Sequence, residues 1–164
     1  MSLNANKLVA DDTEGSSRTA AGPVNFVDSS DDYFINISKR ADVDPDGYFD
    51  VVAHGSTGKI QVQTKNGPVL VDHRVAAKLI QQSPGYKAGQ NIRLLSCDTG
   101  KLEDGFAQNL ANKLNVKVKA PTEWIWADEM GNTFIAAPKY LKDGTAVPDT
   151  KGYMEEFGPW RVFP

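Results

Sequence analysis

The chain has 164 residues, of which 40% are hydrophobic and 24% are charged, and its formal net charge at pH 7 is -3. This length and apolar content suit one domain with a substantial core that needs no disulfide cross-links. The mild negative charge, with no basic run longer than Lys39-Arg40, argues against a nucleic-acid partner. No segment approaches the roughly 20 apolar residues of a membrane span, so we expect a soluble domain without membrane contact.

The predicted elements alternate between strands and helices. Residues 1–23 are small and polar, which predicts a flexible leader or linker, and residues 24–164 are predicted to form a single domain. Apolar runs and helical spacing predict, in chain order, a strand at 31–38, a strand at 49–53, a β-hairpin at 58–71, a helix at 73–82, a strand at 91–96, a helix at 104–114 and a strand at 116–120. This order predicts an α/β fold whose mostly parallel central sheet is covered on both faces.

Two chemically useful side chains directly follow apolar strands. YFDVVAHG, residues 48–55, ends at His54 and Gly55, and IRLLSC, residues 92–97, ends at Cys97. Functional groups in parallel sheets lie just beyond the carboxyl ends of the strands, so the imidazole and the thiol meet if the two strands are neighbours. A nearby imidazole and the N-terminus of the following helix favour a thiolate. The backbone amides of Gly55 and Cys97 are candidates to hold an oxyanion.

Structural interpretations of the same residues remain open. A lone cysteine is often a small core residue, and a histidine at a strand end often makes only a backbone hydrogen bond. His73 is a competing base, but it follows Asp72 at the start of a predicted helix, where a solvated position is common. The glycine spacing around Ser96 and Cys97 does not fit the nucleophile elbow of α/β-hydrolases. Two histidines with one cysteine form no metal-ligand motif, so we expect neither a metal nor a cofactor.

A hydrophobic block ending in His-Gly, followed by a second block ending in Ser-Cys, resembles the signature of the caspase-like (clan CD) cysteine peptidases. The resemblance implies a three-layer α/β/α sandwich, a catalytic dyad of His54 and Cys97, and an oxyanion hole made by the amides of Gly55 and Cys97. Trp124 and Trp126 lie where that family often builds its specificity walls, so they are candidate substrate-binding residues. They are equally consistent with an ordinary half-buried strand. Some members bind an activating inositol phosphate on a basic surface, which we do not expect on this mildly acidic chain.

A second resemblance runs from about Tyr48 to the C-terminus. Segments such as AHGS, LLSCDTG and GFAQNLANKL resemble toxin domains at the C-termini of bacterial Rhs and related polymorphic-toxin proteins. The resemblance implies an effector that is secreted or delivered into a target cell as part of a larger protein, with an immunity protein as a partner. We therefore expect a cysteine endopeptidase that cleaves a protein substrate, either its own parent chain or another protein.

Two alternatives to the peptidase remain open. One is a toxin module on the same scaffold that binds a protein or uses the thiol for another reaction such as deamidation. The other is a partner-binding domain in which Cys97 is an inert core residue.

Overall fold

The computed structural model describes residues 7–9, 24–28, 30–37, 39, 46–149 and 160–164. The elements within these ranges are β1 (Val24–Asn25), α1 (Asp32–Ile37), β2 (Phe49–Val52), β3 (His54–Gly55), β4 (Ile60–Thr64), β5 (Gly67–Val71), α2 (His73–Gln81), β6 (Ile92–Leu95), α3 (Phe106–Leu114), β7 (Val118–Pro121), β8 (Trp124–Ala127), β9 (Thr133–Ala136), β10 (Pro138–Tyr140), β11 (Ala146–Pro148) and β12 (Trp160–Phe163). Most of the predicted leader lies outside the described residues, but Leu8 is described and is fully buried in the main core.

The central sheet confirms a mixed α/β fold with a partly parallel sheet. Among the described residues its strand order is β1-β2-β6-β7-β12, in which β1, β2, β6 and β7 are parallel and β12 is antiparallel to β7. Val51 pairs with Leu94 and Val52 with Leu95 across the β2–β6 pair. The two apolar strands that precede His54 and Cys97 are therefore neighbours.

The side chains of the central strands alternate between two separate cores. On one face, Val51 and Leu94 pack with α2, α3 and the β4–β5 hairpin. On the other face, Val52 and Leu95 pack with α1 and with the β8–β9 hairpin. The second face is the one that receives the candidate catalytic residues.

The segment predicted as a strand at 31–38 is instead helix α1, and Ser38 lies outside the described residues. The carboxylate of Asp31 caps the helix, because its Oδ1 accepts the amide of Tyr33 at 2.8 Å. Tyr33 and Ile37, four residues apart and so on one helical face, both pack in the second core. The strand prediction is wrong because a short run rich in aromatic and β-branched residues fits both the period of a helix and the period of a strand. The Asp31 cap and the packing against the second core favour the helix.

The other predicted elements are present with shifted ends. The hairpin after the His-Gly strand consists of β4 and β5, which Lys65 and Asn66 join. Helix α2 begins after Asp72, whose side chain caps it. Helix α3 begins at Phe106, two residues later than predicted, because Gly105 is its N-cap. The N-terminus of α3 is consequently farther along the chain from the thiol than the sequence suggests.

A buried ion pair ties β2 to β6. Arg93 donates from Nε to Asp50 Oδ1 at 2.6 Å and from Nη2 to Asp50 Oδ2 at 2.7 Å, and the two residues are register partners. Their side chains are only 9% and 4% exposed. The bidentate pair therefore satisfies both charges away from water and favours one register of the two strands.

We expect Asp50→Ala to lower the free energy of unfolding by about 3–5 kcal/mol, because it leaves the Arg93 guanidinium buried without its carboxylate. Urea denaturation followed by circular dichroism measures the loss. The matched control is Arg74→Ala, which breaks an exposed pair with Asp72 and should cost less than about 1 kcal/mol. Equal losses in the two variants would contradict the role assigned to the buried pair.

Candidate functional site

The candidate site lies at the carboxyl ends of β2 and β6. His54 and Cys97 each follow the paired residues Val52 and Leu95 by two positions, and the amide of Ala53 extends the pairing by donating to the Leu95 carbonyl at 3.3 Å. Side-chain alternation carries both residues onto the face that α1 and β8 cover. Both line one cleft of about 290 Å³. The structure thus brings the imidazole and the thiol to one place, as the sequence predicts.

The cleft separates α1 from β8. Helix α1 contributes Asp32, Tyr33 and Asn36, and strand β8 contributes all of its residues, Trp124–Ala127. The rings of Trp124 and Trp126 pack against each other with centroids 5.6 Å apart and an interplanar angle of 33°. Both tryptophans therefore line the same cleft as His54 and Cys97, and their role in substrate binding stays a prediction.

Asp31, which the sequence analysis missed, orients His54. Its Oδ2 lies 2.8 Å from His54 Nε2, while its Oδ1 caps α1. An ionised carboxylate accepts hydrogen bonds and donates none, so this contact favours a hydrogen on His54 Nε2 and leaves Nδ1 as the other ring nitrogen. The Tyr33 ring packs beside the imidazole, with centroids 5.6 Å apart. These contacts give the histidine a defined tautomer and orientation.

The Cys97 thiol is half-buried against β8 and stays protonated at neutral pH. Its Sγ donates to the carbonyl of Ile125 over 3.8 Å. Burial, with a smaller contribution from the charge of Asp98, raises the pKa of the thiol to about 11. The expectation of a favoured thiolate is therefore wrong for the free protein, because desolvation outweighs any effect of the imidazole, and α3 begins only at Phe106.

Gly55 is in direct contact with the turn that carries the thiol. A Cβ atom on Gly55 would lie 2.9 Å from Ser96 Cβ, 2.9 Å from Thr99 Cγ2 and 3.0 Å from the Cys97 carbonyl oxygen. Hydrogen-bonded and non-hydrogen-bonded pairs alternate along the antiparallel β3–β4 pair. Ser56 donates its amide to the Lys59 carbonyl, so Gly55 is in a non-hydrogen-bonded pair and its amide points away from β4. The backbones of the predicted oxyanion-hole residues therefore meet with no side chain between them.

The turn after the thiol is fixed to the connection between β7 and β8. Asp98 adopts a left-handed conformation with φ of 60°, which aspartate tolerates better than most residues. Its amide donates to the Glu123 carbonyl at 3.1 Å, and Thr99 Oγ1 donates to the Ser96 carbonyl at 2.9 Å. Burial raises the pKa of Asp98. These bonds hold the position of Cys97.

The remaining sequence candidates lie elsewhere. His73, the competing base, is the first residue of α2, which packs on the opposite face of the sheet, and it does not line the cleft. Among the described residues, no group of three or more histidine, cysteine, aspartate or glutamate side chains is placed to hold a metal ion. In the same part of the chain, no helix combines the length and apolar character needed to cross a membrane.

Comparison with known proteins places the candidate site inside a recognised family region. The model of a family described as a domain of unknown function (DUF8616) matches residues 22–135. This span contains Asp31, His54, Cys97 and both tryptophans of β8. No curated protein matches the chain.

We expect Gly55→Ala to lower the free energy of unfolding by about 1–3 kcal/mol, because the new methyl group overlaps the turn that carries Cys97. Gly58→Ala is the matched control, since nothing lies within 4 Å of a Cβ at that position, and it should change stability by less than about 0.5 kcal/mol. Urea denaturation measures both. A Gly55→Ala protein as stable as the control would show that the two backbones are not in contact.

Alkylation by iodoacetamide tests the protonation state of Cys97, the single cysteine of the chain. With a thiol pKa of about 11, the native protein should react at pH 8 on the order of ten- to a hundredfold more slowly than the protein unfolded in urea. Because the folded state holds the proton more tightly, the native rate should rise with pH through the range from 9 to 11. Intact mass measures the rate, and fast native alkylation at pH 6 would contradict the raised pKa.

Proposed function

We propose that this chain, which belongs to the DUF8616 family, is a cysteine endopeptidase that uses Cys97 as nucleophile and His54 as general base. The observation that carries the proposal is one cleft that contains both the thiol and an imidazole whose tautomer Asp31 defines. A nucleophile, a base and a group that orients the base are the components of nucleophilic acyl transfer.

In the proposed reaction, the cysteine attacks a peptide carbonyl. Cys97 Sγ forms a bond to the carbonyl carbon while His54 Nδ1 accepts the thiol proton. The amides of Gly55 and Cys97 are the proposed donors to the oxyanion. The imidazolium, stabilised by Asp31, then gives its proton to the leaving amine as the C–N bond breaks. Water hydrolyses the remaining thioester with the same imidazole as base.

The raised pKa of the thiol is compatible with this reaction if deprotonation accompanies attack. A serine nucleophile, with a far higher pKa, is activated in the same way by a hydrogen-bonded histidine. Cys97 must give up its hydrogen bond to the Ile125 carbonyl when it turns toward a substrate. We therefore propose that the thiol becomes reactive when a peptide occupies the cleft.

The biological setting and the finer fold description are part of the proposal. Helices α2 and α3 pack on one face of the sheet and α1 on the other, which supports a caspase-like three-layer α/β/α arrangement. The sequence resemblance to polymorphic toxins supports an effector domain of a larger secreted or delivered toxin, with a protein substrate and an immunity protein as partners.

A protein-binding module on the same scaffold is the second candidate. The observation that favours it is the protonated thiol of Cys97, which packs against the second core and bonds to Ile125. In a binding module, replacement of this thiol would leave function intact.

We expect Cys97→Ala and His54→Ala each to abolish cleavage of the proteins in a target-cell lysate, because each removes a group that makes or breaks a bond in the reaction. Gel-based mass spectrometry of new peptide termini measures cleavage, and circular dichroism checks that each variant is folded. His73→Ala is the matched histidine control and should keep wild-type activity. Retained cleavage by a folded Cys97→Ala or His54→Ala protein rejects the dyad.

In the same assay, Asp31→Asn should lower the cleavage rate by about 10³–10⁴-fold, the loss expected when an amide stabilises the wrong histidine tautomer. Asp28→Asn, three residues earlier in the chain, is the matched control, because the Asp28 carboxylate accepts from Ser30 and not from His54. Equal activity of the two variants would remove Asp31 from the site.

A further inference from the structure

We propose that the cleft between α1 and β8 binds a large apolar side chain, that of the substrate residue whose carbonyl Cys97 attacks. The inference rests on the proposed peptidase function and adds the class of residue that the enzyme selects. It follows from the chemistry of the cleft walls, from their charge and from the size of the space.

Two polar groups of the α1 wall, the Tyr33 hydroxyl and the Asn36 side-chain nitrogen, are already bonded to the protein. Tyr33 donates its hydroxyl hydrogen to the Leu95 carbonyl at 2.9 Å. Asn36 donates from Nδ2 to the Ala127 carbonyl at 3.0 Å. A ligand therefore meets the ring of Tyr33 rather than a free hydroxyl donor.

The indole of Trp126 in the β8 wall is bonded in the same way. Its Nε1 donates to the Ala136 carbonyl at 2.9 Å. With this indole hydrogen engaged, the packed rings of Trp124 and Trp126 offer mainly apolar surface to the cleft. Burial of an apolar group against such surface is favourable, whereas a polar group would lose hydrogen bonds to water without replacement.

The charges around the cleft disfavour an acidic side chain. Asp32 lines the cleft as an exposed residue in the first turn of α1, and Asp31 lies beside it. These carboxylates disfavour a third carboxylate, although only weakly, because Asp31 is paired with His54 and both are partly exposed to water. Because Asp32 is exposed to water, it gives a basic side chain little net attraction.

The size of the cleft fits one side chain. Its volume of about 290 Å³ lies just below the range for small-molecule pockets, about 300–1,000 Å³. Cys97 and His54 line the same space, so a side chain held there places its own carbonyl near the thiol. The cleft therefore selects the residue on the acyl side of the cleaved bond.

A matched set of fluorogenic peptides tests this selection. The peptides differ only in the residue before the reporter, which is leucine, phenylalanine, lysine or aspartate. For the wild-type protein we expect kcat/KM with leucine or phenylalanine to exceed that with lysine by at least about tenfold and that with aspartate by at least about a hundredfold. A preference for lysine or aspartate would overturn the apolar site while leaving the peptidase intact.

A variant that fills the cleft tests the location. Ala127 lines the cleft beside the second core, so leucine at this position should reduce the space and shift the preference from leucine and phenylalanine to alanine by at least about tenfold. Ala146→Leu makes the same change on β11, outside the cleft lining, and should leave the preference unchanged. Unchanged selectivity in Ala127→Leu would overturn the assignment to this cleft.

A binding measurement separates failure of the inference from failure of the proposed function. N-acetyl amides of leucine, phenylalanine, lysine and aspartate are titrated into Cys97→Ala protein, and tryptophan fluorescence reports occupancy of the cleft. Tighter binding of the apolar amides, lost in a Cys97→Ala, Ala127→Leu double variant, supports the apolar site even if no peptide is cleaved. Absence of apolar binding overturns it even if peptides are cleaved.

Discussion

The candidate site depends on the parallel, in-register pairing of β2 with β6. The pairing of Val52 with Leu95 sets His54 and Cys97 at equivalent positions beyond the strand ends, and the buried Asp50–Arg93 pair makes that register favourable. Side chains alternate with a period of two, so a slip of one residue would send one of the two groups to the opposite face of the sheet. The register of β2 against β6 therefore determines whether the imidazole and the thiol can lie on the same face of the sheet.

The elements that cover this face, α1 and β8, determine the orientation of His54 and the protonation of Cys97. From α1, the carboxylate of Asp31 both caps the helix and fixes the tautomer of His54. Burial beneath β8 keeps the Cys97 thiol protonated. The proposed base is therefore already oriented in the free protein, whereas the proposed nucleophile is still protonated. A protonated thiol also protects the free protein from adventitious alkylation, since the thiolate is the reactive form.

The parts of the structure that follow from local pattern could be predicted. Continuous apolar runs indicated β2 and β6, and the general rule for parallel sheets placed His54 and Cys97 together. Helix α1 was mispredicted because a six-residue segment with four aromatic or β-branched residues fits both the helical and the strand period. Asp31 was missed because its contact with His54 spans 23 residues and depends on where α1 packs. The raised pKa of Cys97 depends on coverage by β8, which a single sequence does not reveal.

The most direct test of the central claim is the intact mass of the protein after reaction with a peptidyl acyloxymethyl ketone that carries an apolar residue next to the ketone. The account predicts one adduct, on Cys97, formed by the wild-type protein and lost in folded His54→Ala protein, which still has the thiol. Such a result would show that the imidazole activates the thiol when a peptide fills the cleft. Equal labelling of the two proteins, or no labelling of the wild type, would contradict the account.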